Sequence, residues 1–219
     1  MTLALFDLDN TLLSGDSDYE WGNFLVQKKL VDKVHYEQAN QKFYQDYKAG
    51  KLDIYEFSAF TFEILTRLSN QALDQLHQEF MAAVILPLIS DKARALVEKH
   101  RALHHTLVII TATNQFITTP IAEELKIPHL IATQSKIVEG RYTTEIDGIP
   151  CFQAGKVQRL SAWMHEHNET LKGSYFYSDS HNDAPLMHQV EHAIAVDPDE
   201  KLVKLATQEN WKIISLRGN

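Results

Sequence analysis

The apolar run from Thr2 to Leu8 ends in acidic residues, Asp7 and Asp9, with Thr11 close behind. A carboxylate can attack phosphorus and form an aspartyl-phosphate. A second acid beside it can protonate the departing alkoxide and later activate water. Asp7 suits the first task, and Asp9 the second if the chain curls between them. Far along the chain a second acidic stretch, Asp179-Ser-His-Asn-Asp183, follows another apolar run. Asp7, Asp9, Asp179 and Asp183 gathered in one place would repel and raise one another's pKa. A hard divalent cation relieves that repulsion, and magnesium takes oxygen ligands: a carboxylate or two, waters and phosphate. The four acids therefore predict Mg2+. Positive charge from Lys156, the hydroxyl of Thr111 and backbone N–H groups around Ala112, Thr113 and Asn114 would hold the phosphate oxygens.

Each of these residues has an ordinary use when taken singly. Aspartates after strands form turns or cap helices, a threonine is structural, and a lysine at a helix start is solvated. Order and placement carry the case. In open α/β sheets ligands sit outside the carboxyl ends of the strands, so each group must follow a strand or open a helix.

The pattern supplies those elements. Leu107 to Thr111, His129 to Ala132, Tyr175 to Ser178, Ala193 to Val196 and Trp211 to Leu216 read as strands. Helices are expected at about Asp91 to Leu103, Thr118 to Leu125 with Pro120 in its first turn, and Lys156 to Glu166. Another should follow Asp197-Pro198, read as cap and first-turn proline. Lys136 to Ile149 reads as a hairpin turning at Glu139-Gly140. Strands alternating with helices imply a parallel sheet covered on both faces. Between Asp18 and Leu86 the rhythm differs, with apolar residues at three and four: Leu25, Val26, Leu30 and Val31, then Ile54, Phe57, Phe60, Phe62 and Leu65. Roughly four helices fit, one opened by Asp53 with Glu56 and one capped by Asn70. The expected fold class is thus α/β, with a core from 1–15 plus 88–219 and an all-helical insert over 16–87, too long for an ordinary connection.

Composition narrows the partners. The formal net charge of -8 argues against nucleic acid or an anionic membrane surface. No apolar stretch approaches the ~20 residues needed to span a bilayer, and the first residues carry no signal-peptide pattern, so a cytoplasmic location is expected. Cys151 stands alone, which excludes a disulfide within the chain, and reads as a buried apolar side chain. The eleven histidines show no metal-type pairing; His104 and His105 read as a surface turn and His181 as a solvated loop residue.

With these motifs in place, the chain resembles the haloacid dehalogenase superfamily, in its phosphatase branch. Asp-x-Asp-x-Thr matches the first motif, Thr111 the second, Lys156 the third, and Asp179 with Asp183 the fourth. The resemblance implies a Rossmann-like core with a helical cap of the phosphoserine-phosphatase-like subgroup. It makes Asp7 the nucleophile and Asp9 the general acid/base. The Asp7 carboxylate, the Asp9 backbone carbonyl and Asp179 would hold magnesium, and Asp183, grouped with these metal-site acids, would orient a metal-bound water or Lys156. Thr11 and Thr111 to Asn114 would line the phosphate site. Family dehalogenases lack the metal constellation, and transport ATPases carry threonine in place of the second acid, so Asp9 favours a phosphatase or a mutase. Ala4 to Trp21, Val108 to Asn114 and Tyr177 to Asp183 are similar to bacterial members assigned to histidinol phosphate.

A cap closing over the site suits a small metabolite phosphate. Asp16 falls where phosphoserine phosphatases place a glutamate for the substrate amine, and an acid near an aromatic such as Trp21 suits an amine or imidazole. Asp16 and Asp18 equally suit capping a helix, and Trp21 packing its core. Phosphoserine also needs a partner for its carboxylate, and Arg67 is the one arginine between Asp16 and Pro87. Histidinol phosphate, which has no carboxylate, is the expected substrate, with phosphoserine or another small ester as the alternative. A phosphomutase, a receiver domain that stores an aspartyl-phosphate and an inactive binding protein are the rivals. A monomer or small homo-oligomer is expected.

Overall fold

The computed structural model describes residues 2–218. The chain opens with β1 (Leu3–Phe6), buried along its whole length. Four helices follow: α1 (Ser17–Gln27), α2 (Lys33–Ala49), α3 (Ile54–Arg67) and α4 (Asn70–Phe80). A single π-type turn (Met81–Ile85) leads into the short α5 (Leu86–Leu88). The remainder is α6 (Asp91–Ala102), β2 (Thr106–Asn114), α7 (Gln115–Glu124), β3 (His129–Thr133), β4 (Ser135–Val138), β5 (Arg141–Ile146), α8 (Ala154–His167), β6 (Tyr175–Ser178), α9 (Ala184–Met187), β7 (His192–Val196), α10 (Glu200–Gln208) and β8 (Lys212–Ile214).

Six strands form one sheet in the order β3-β2-β1-β6-β7-β8, and every pairing in it is parallel. Because side chains alternate along a strand, each strand feeds two cores. Ala4, Phe6, Leu107, Ile109 and Tyr177 face a cluster that includes Val97 of α6 and Ile117 of α7. Leu3, Leu5, Val108, Ile110 and Phe176 face the opposite cluster, with Leu160 of α8, Leu186 of α9 and Leu202 of α10. This is the expected sheet with helices on both faces. No described helix is long and apolar enough to cross a membrane.

Between Leu13 and Ile89, which pair as an isolated antiparallel bridge, all regular structure is helical. Trp21, Phe24, Phe62 and Phe80 of this block belong to the same apolar cluster as Phe6 and Ile109 of the sheet. At Gly22 side chains of α2 press so closely on α1 that a Cβ would stand 2.6 Å from Asn40 Nδ2 and from Tyr36 Cε1.

Local expectations are met in part. Asp53 caps α3, accepting the N–H groups of Tyr55 and Glu56. The hairpin turns at Glu139 and Gly140, both at positive φ (50° and 77°), the pair of left-handed residues a type I′ turn requires. Three helix starts differ. Ser69, not Asn70, caps α4. Asn114 caps α7, so that helix starts earlier and Pro120 lies in its interior. Asp199, not Asp197, caps α10; Asp197 adopts φ +43° and accepts the N–H of Leu216 instead. Neighbouring polar residues offer equivalent capping oxygens, and the path of the incoming chain decides between them.

Candidate active site

Strand β1 lies between β2 and β6, so Asp7 emerges at the carboxyl edge of the sheet. Its N–H still donates to Tyr177 O at 2.9 Å, extending the ladder by one bond. The chain then makes a wide turn closed by Leu13 N–H to Leu8 O at 3.0 Å. Within it Asp9 is extended and Asn10 left-handed (φ 56°). The turn is the curl that the two acids need. Asp9 Oδ2 accepts the Thr113 hydroxyl at 2.7 Å, and Oδ1 accepts the Ser17 N–H at 2.6 Å.

Lys156, in the first turn of α8, reaches under Asp7. Its Nζ donates to Asp7 Oδ1 at 2.8 Å and to Asp183 Oδ2 at 2.7 Å. All three side chains are buried. Ser178 donates its hydroxyl to the same Asp183 oxygen at 2.7 Å. Asp183 thus shares the Lys156 ammonium with Asp7. Burial works against the ammonium, but Asp183 and Asp7 more than offset it and hold its pKa above the ordinary lysine value. Burial pushes Asp7 up to about 7; Lys156 opposes the rise, and Asp183 and Asp9 add to it. Asp179 is raised well above the carboxylate range by burial and by the charges of Asp7 and Asp183.

These acids fit a divalent cation. Among the described residues no lysine, arginine or histidine pairs with Asp179, whose carboxylate accepts the Thr11 hydroxyl at 3.2 Å. Carboxylates that raise one another mark an excess of negative charge which Mg2+ would absorb. Among the described residues no cage of three or more His, Cys, Asp or Glu side chains exists.

A pocket lies over Asp7. Thr111, Ala112, Thr113 and Lys156 line it with Asp7 and Asp9, together with Asp16 and Asp18 from the start of α1. Asn40, Phe43, Tyr44 and Tyr47 come from one stripe of α2, and Phe57 and Phe152 complete the aromatic lining. Asp16 accepts the Tyr19 N–H at 2.9 Å and caps α1, while burial, then the charge of Asp9, pushes its pKa up to about 7. Burial, then Asp16 and Asp9, also raises Asp18. Burial and the charges of Asp179, Asp7 and Asp183 hold the Tyr47 phenol well above its usual value.

Several expected site residues lie elsewhere. Trp21 is buried, stacked on Phe24 and His77 and edge-on to Phe80 and Phe116, so it packs the core. Thr11 is fully buried and ties the first acidic loop to the last: its Oγ accepts the Asp179 N–H at 3.0 Å. The Asn114 side chain caps α7 and approaches Asp18 Oδ1 at 3.4 Å. Arg67 is exposed on α3 beside Glu63. His181 is not a solvated loop residue; its Nδ1 lies 2.7 Å from Asp199 Oδ2. Cys151 is buried, as expected of an apolar side chain, and burial pushes its thiol up to about 12. Sequence reasoning missed the pocket stripe on α2, although 40, 43, 44 and 47 have helical spacing. It also missed Ser178, and Asn182, whose Nδ2 donates to Tyr47 O at 3.3 Å.

Comparison with known proteins bears on this geometry. The family model for haloacid dehalogenase-like hydrolases matches residues 4–188. A histidinol-phosphatase of Neisseria meningitidis serogroup C (strain 8013) is 42% identical, over 98% of this chain and 99% of its own. A crystal structure of a protein of unknown function from Bordetella pertussis Tohama I superposes with a TM-score of 0.92 at 38% identity, covering 99% of this chain and 100% of that one. A substrate-bound phosphoserine phosphatase shares the fold, with a TM-score of 0.71 at 16% identity over 99% of this chain and 93% of that one.

Proposed function

Since this chain belongs to the haloacid dehalogenase-like hydrolase family and is a phosphatase of it, we propose that it hydrolyses histidinol phosphate, with magnesium, through an aspartyl-phosphate on Asp7. In the proposed first half-reaction an Asp7 oxygen bonds to phosphorus and the ester oxygen departs with a proton from Asp9. In the second, Asp9 takes a proton from water, the water oxygen bonds to phosphorus, and the P–O bond to Asp7 breaks. Thr113 and the Ser17 N–H keep the Asp9 carboxyl in one orientation. Lys156 holds Asp7 and carries positive charge to the phosphate. The Asp7 carboxylate, the Asp179 carboxylate and the Asp9 carbonyl would hold magnesium, which when bound neutralises phosphate charge and keeps Asp7 ionised. The helices between Leu13 and Ile89 serve as the cap over this pocket.

One observation carries the substrate. The pocket joins the acids Asp16 and Asp18 to the aromatic rings of Phe43, Tyr44, Tyr47 and Phe57, and the cation lining it, Lys156, is already engaged by Asp7 and Asp183. Such a lining suits an amine and a flat imidazole and offers no free cation to a carboxylate. It therefore favours histidinol phosphate over phosphoserine. Phosphate release from a panel holding both esters tests this. Histidinol phosphate should lead in kcat/KM and the Asp7→Asn variant should release none; preference for phosphoserine would refute the substrate, and turnover by Asp7→Asn the nucleophile.

A further inference from the structure

Beyond β8 the chain folds back beneath the turn that carries Asp9. Leu216 is buried in the main core cluster. Its N–H donates to Asp197 Oδ2 at 2.9 Å, and its carbonyl accepts the Ser90 hydroxyl at 2.7 Å. This anchoring brings the Arg217 guanidinium to the catalytic loop. Nη2 donates to Asn10 O at 2.7 Å and Nη1 to Leu13 O at 2.8 Å. Asp197 Oδ2 stands 3.8 Å from Nε as counter-ion. One planar fork therefore grips two carbonyls of a single turn.

Those carbonyls matter because of what lies between and beside them. Asn10 holds the left-handed conformation (φ 56°), an unfavourable one for a residue with a side chain. It stands between Asp9, aimed at Thr113, and Thr11, bonded to Asp179. If Asn10 relaxes, the Asp9 carboxyl turns and the tie to Asp179 loosens. A lone surface arginine would not need two backbone acceptors and a buried anchor. We propose that Arg217 is a positioning residue: its fork clamps Asn10 and Leu13 so that Asp9 stays aligned to give the leaving group its proton.

This inference rests on the reading of Asp9 as general acid, and its test separates the two. Arg217→Ala and Arg217→Lys are compared with the wild type in single-turnover release of the leaving group. Histidinol phosphate, with a poor alkoxide leaving group, is set against p-nitrophenyl phosphate, whose phenolate departs without a proton. For Arg217→Ala the rate with histidinol phosphate should fall about 10- to 100-fold, with KM within about twofold, while p-nitrophenyl phosphate loses less than about threefold. Arg217→Lys keeps the charge but not the fork, and should fall between. Melting curves with magnesium present establish that each variant is folded at the assay temperature. Unchanged rates in folded Arg217→Ala, or equal losses with both esters in either variant, would overturn the positioning role. An Asp9→Asn variant that loses leaving-group release equally with the two esters would overturn the general-acid reading, and this inference with it.

Discussion

Thr113 donates its hydroxyl to Asp9 Oδ2 at 2.7 Å, joining residues 104 positions apart. The loop after β2 thereby sets the orientation of an acid in the loop after β1. Both come from neighbouring strands, β1 and β2, whose parallel register brings Phe6 opposite Ile109. Removing this bond should disturb chemistry more than folding. Thr113→Val keeps the shape but not the donor. Its kcat for an alkyl phosphate should fall about tenfold, about 1.4 kcal/mol of barrier, and Thr113→Ser should keep most of it. Steady-state kinetics decide; a fully active valine variant would show that Asp9 needs no such support.

Lys156 is the sole cation found between Asp7 and Asp183 among the described residues. Methionine there would leave two buried carboxylates facing each other, at a cost of about 3–5 kcal/mol near pH 8. Urea denaturation of metal-free protein should show that loss. Part of it should return at pH 5.5, where Asp7, already raised to about 7, takes up a proton. Equal stability of the variant and the wild type at pH 8 would mean the lysine charge is not needed to hold these acids.

Asp179 lies near the charges of Asp7 and Asp183, and its raised pKa signals an unfavourable charge in the metal-free protein. Asparagine is neutral and retains an oxygen for the Thr11 hydroxyl. The Asp179→Asn protein in EDTA should therefore melt higher than the wild type at pH 8, yet gain nothing from millimolar Mg2+. A variant that melts lower in EDTA and still responds to magnesium would contradict both the strain and the metal assignment.

The place of the candidate site was readable because short apolar runs stop abruptly at Asp7, Thr111 and Asp179, and a parallel sheet gathers strand ends at one edge. The sheet was readable from alternation of strand and helix patterns. What spacing does not encode is which neighbour a helical face meets. Asn40, Phe43, Tyr44 and Tyr47 form an ordinary amphipathic stripe, and only the tertiary fold turns it toward the pocket. Trp21 shows the converse, an aromatic near the acids that the same packing draws into the core. Thr11, at a motif position, reads as a phosphate ligand until the bond to Asp179, 168 residues away, shows it joining two loops. Arg217 carried no signal at all, since its partners are backbone carbonyls, which any sequence possesses.

Magnesium binding should be coupled to protons, because the proposed ligands must be ionised to hold the cation. In the metal-free protein burial holds Asp7 up near 7 and raises Asp179 as well. Both pKa values lie above those of the unfolded chain, so between pH 4 and 7 the folded state binds more protons than the unfolded one. The contribution of these acids to stability is therefore most favourable at low pH, and that of Asp7 is lost as pH rises through about 7. Magnesium reverses the trend by favouring the ionised form. The melting temperature with Mg2+ minus that in EDTA should thus widen from pH 6 to pH 8, and the apparent affinity should strengthen about tenfold over that range if one proton is displaced. Titration calorimetry in buffers of different ionisation enthalpy counts that proton directly. A pH-independent affinity with no proton release would mean that Asp7 and Asp179 are already ionised before the cation arrives.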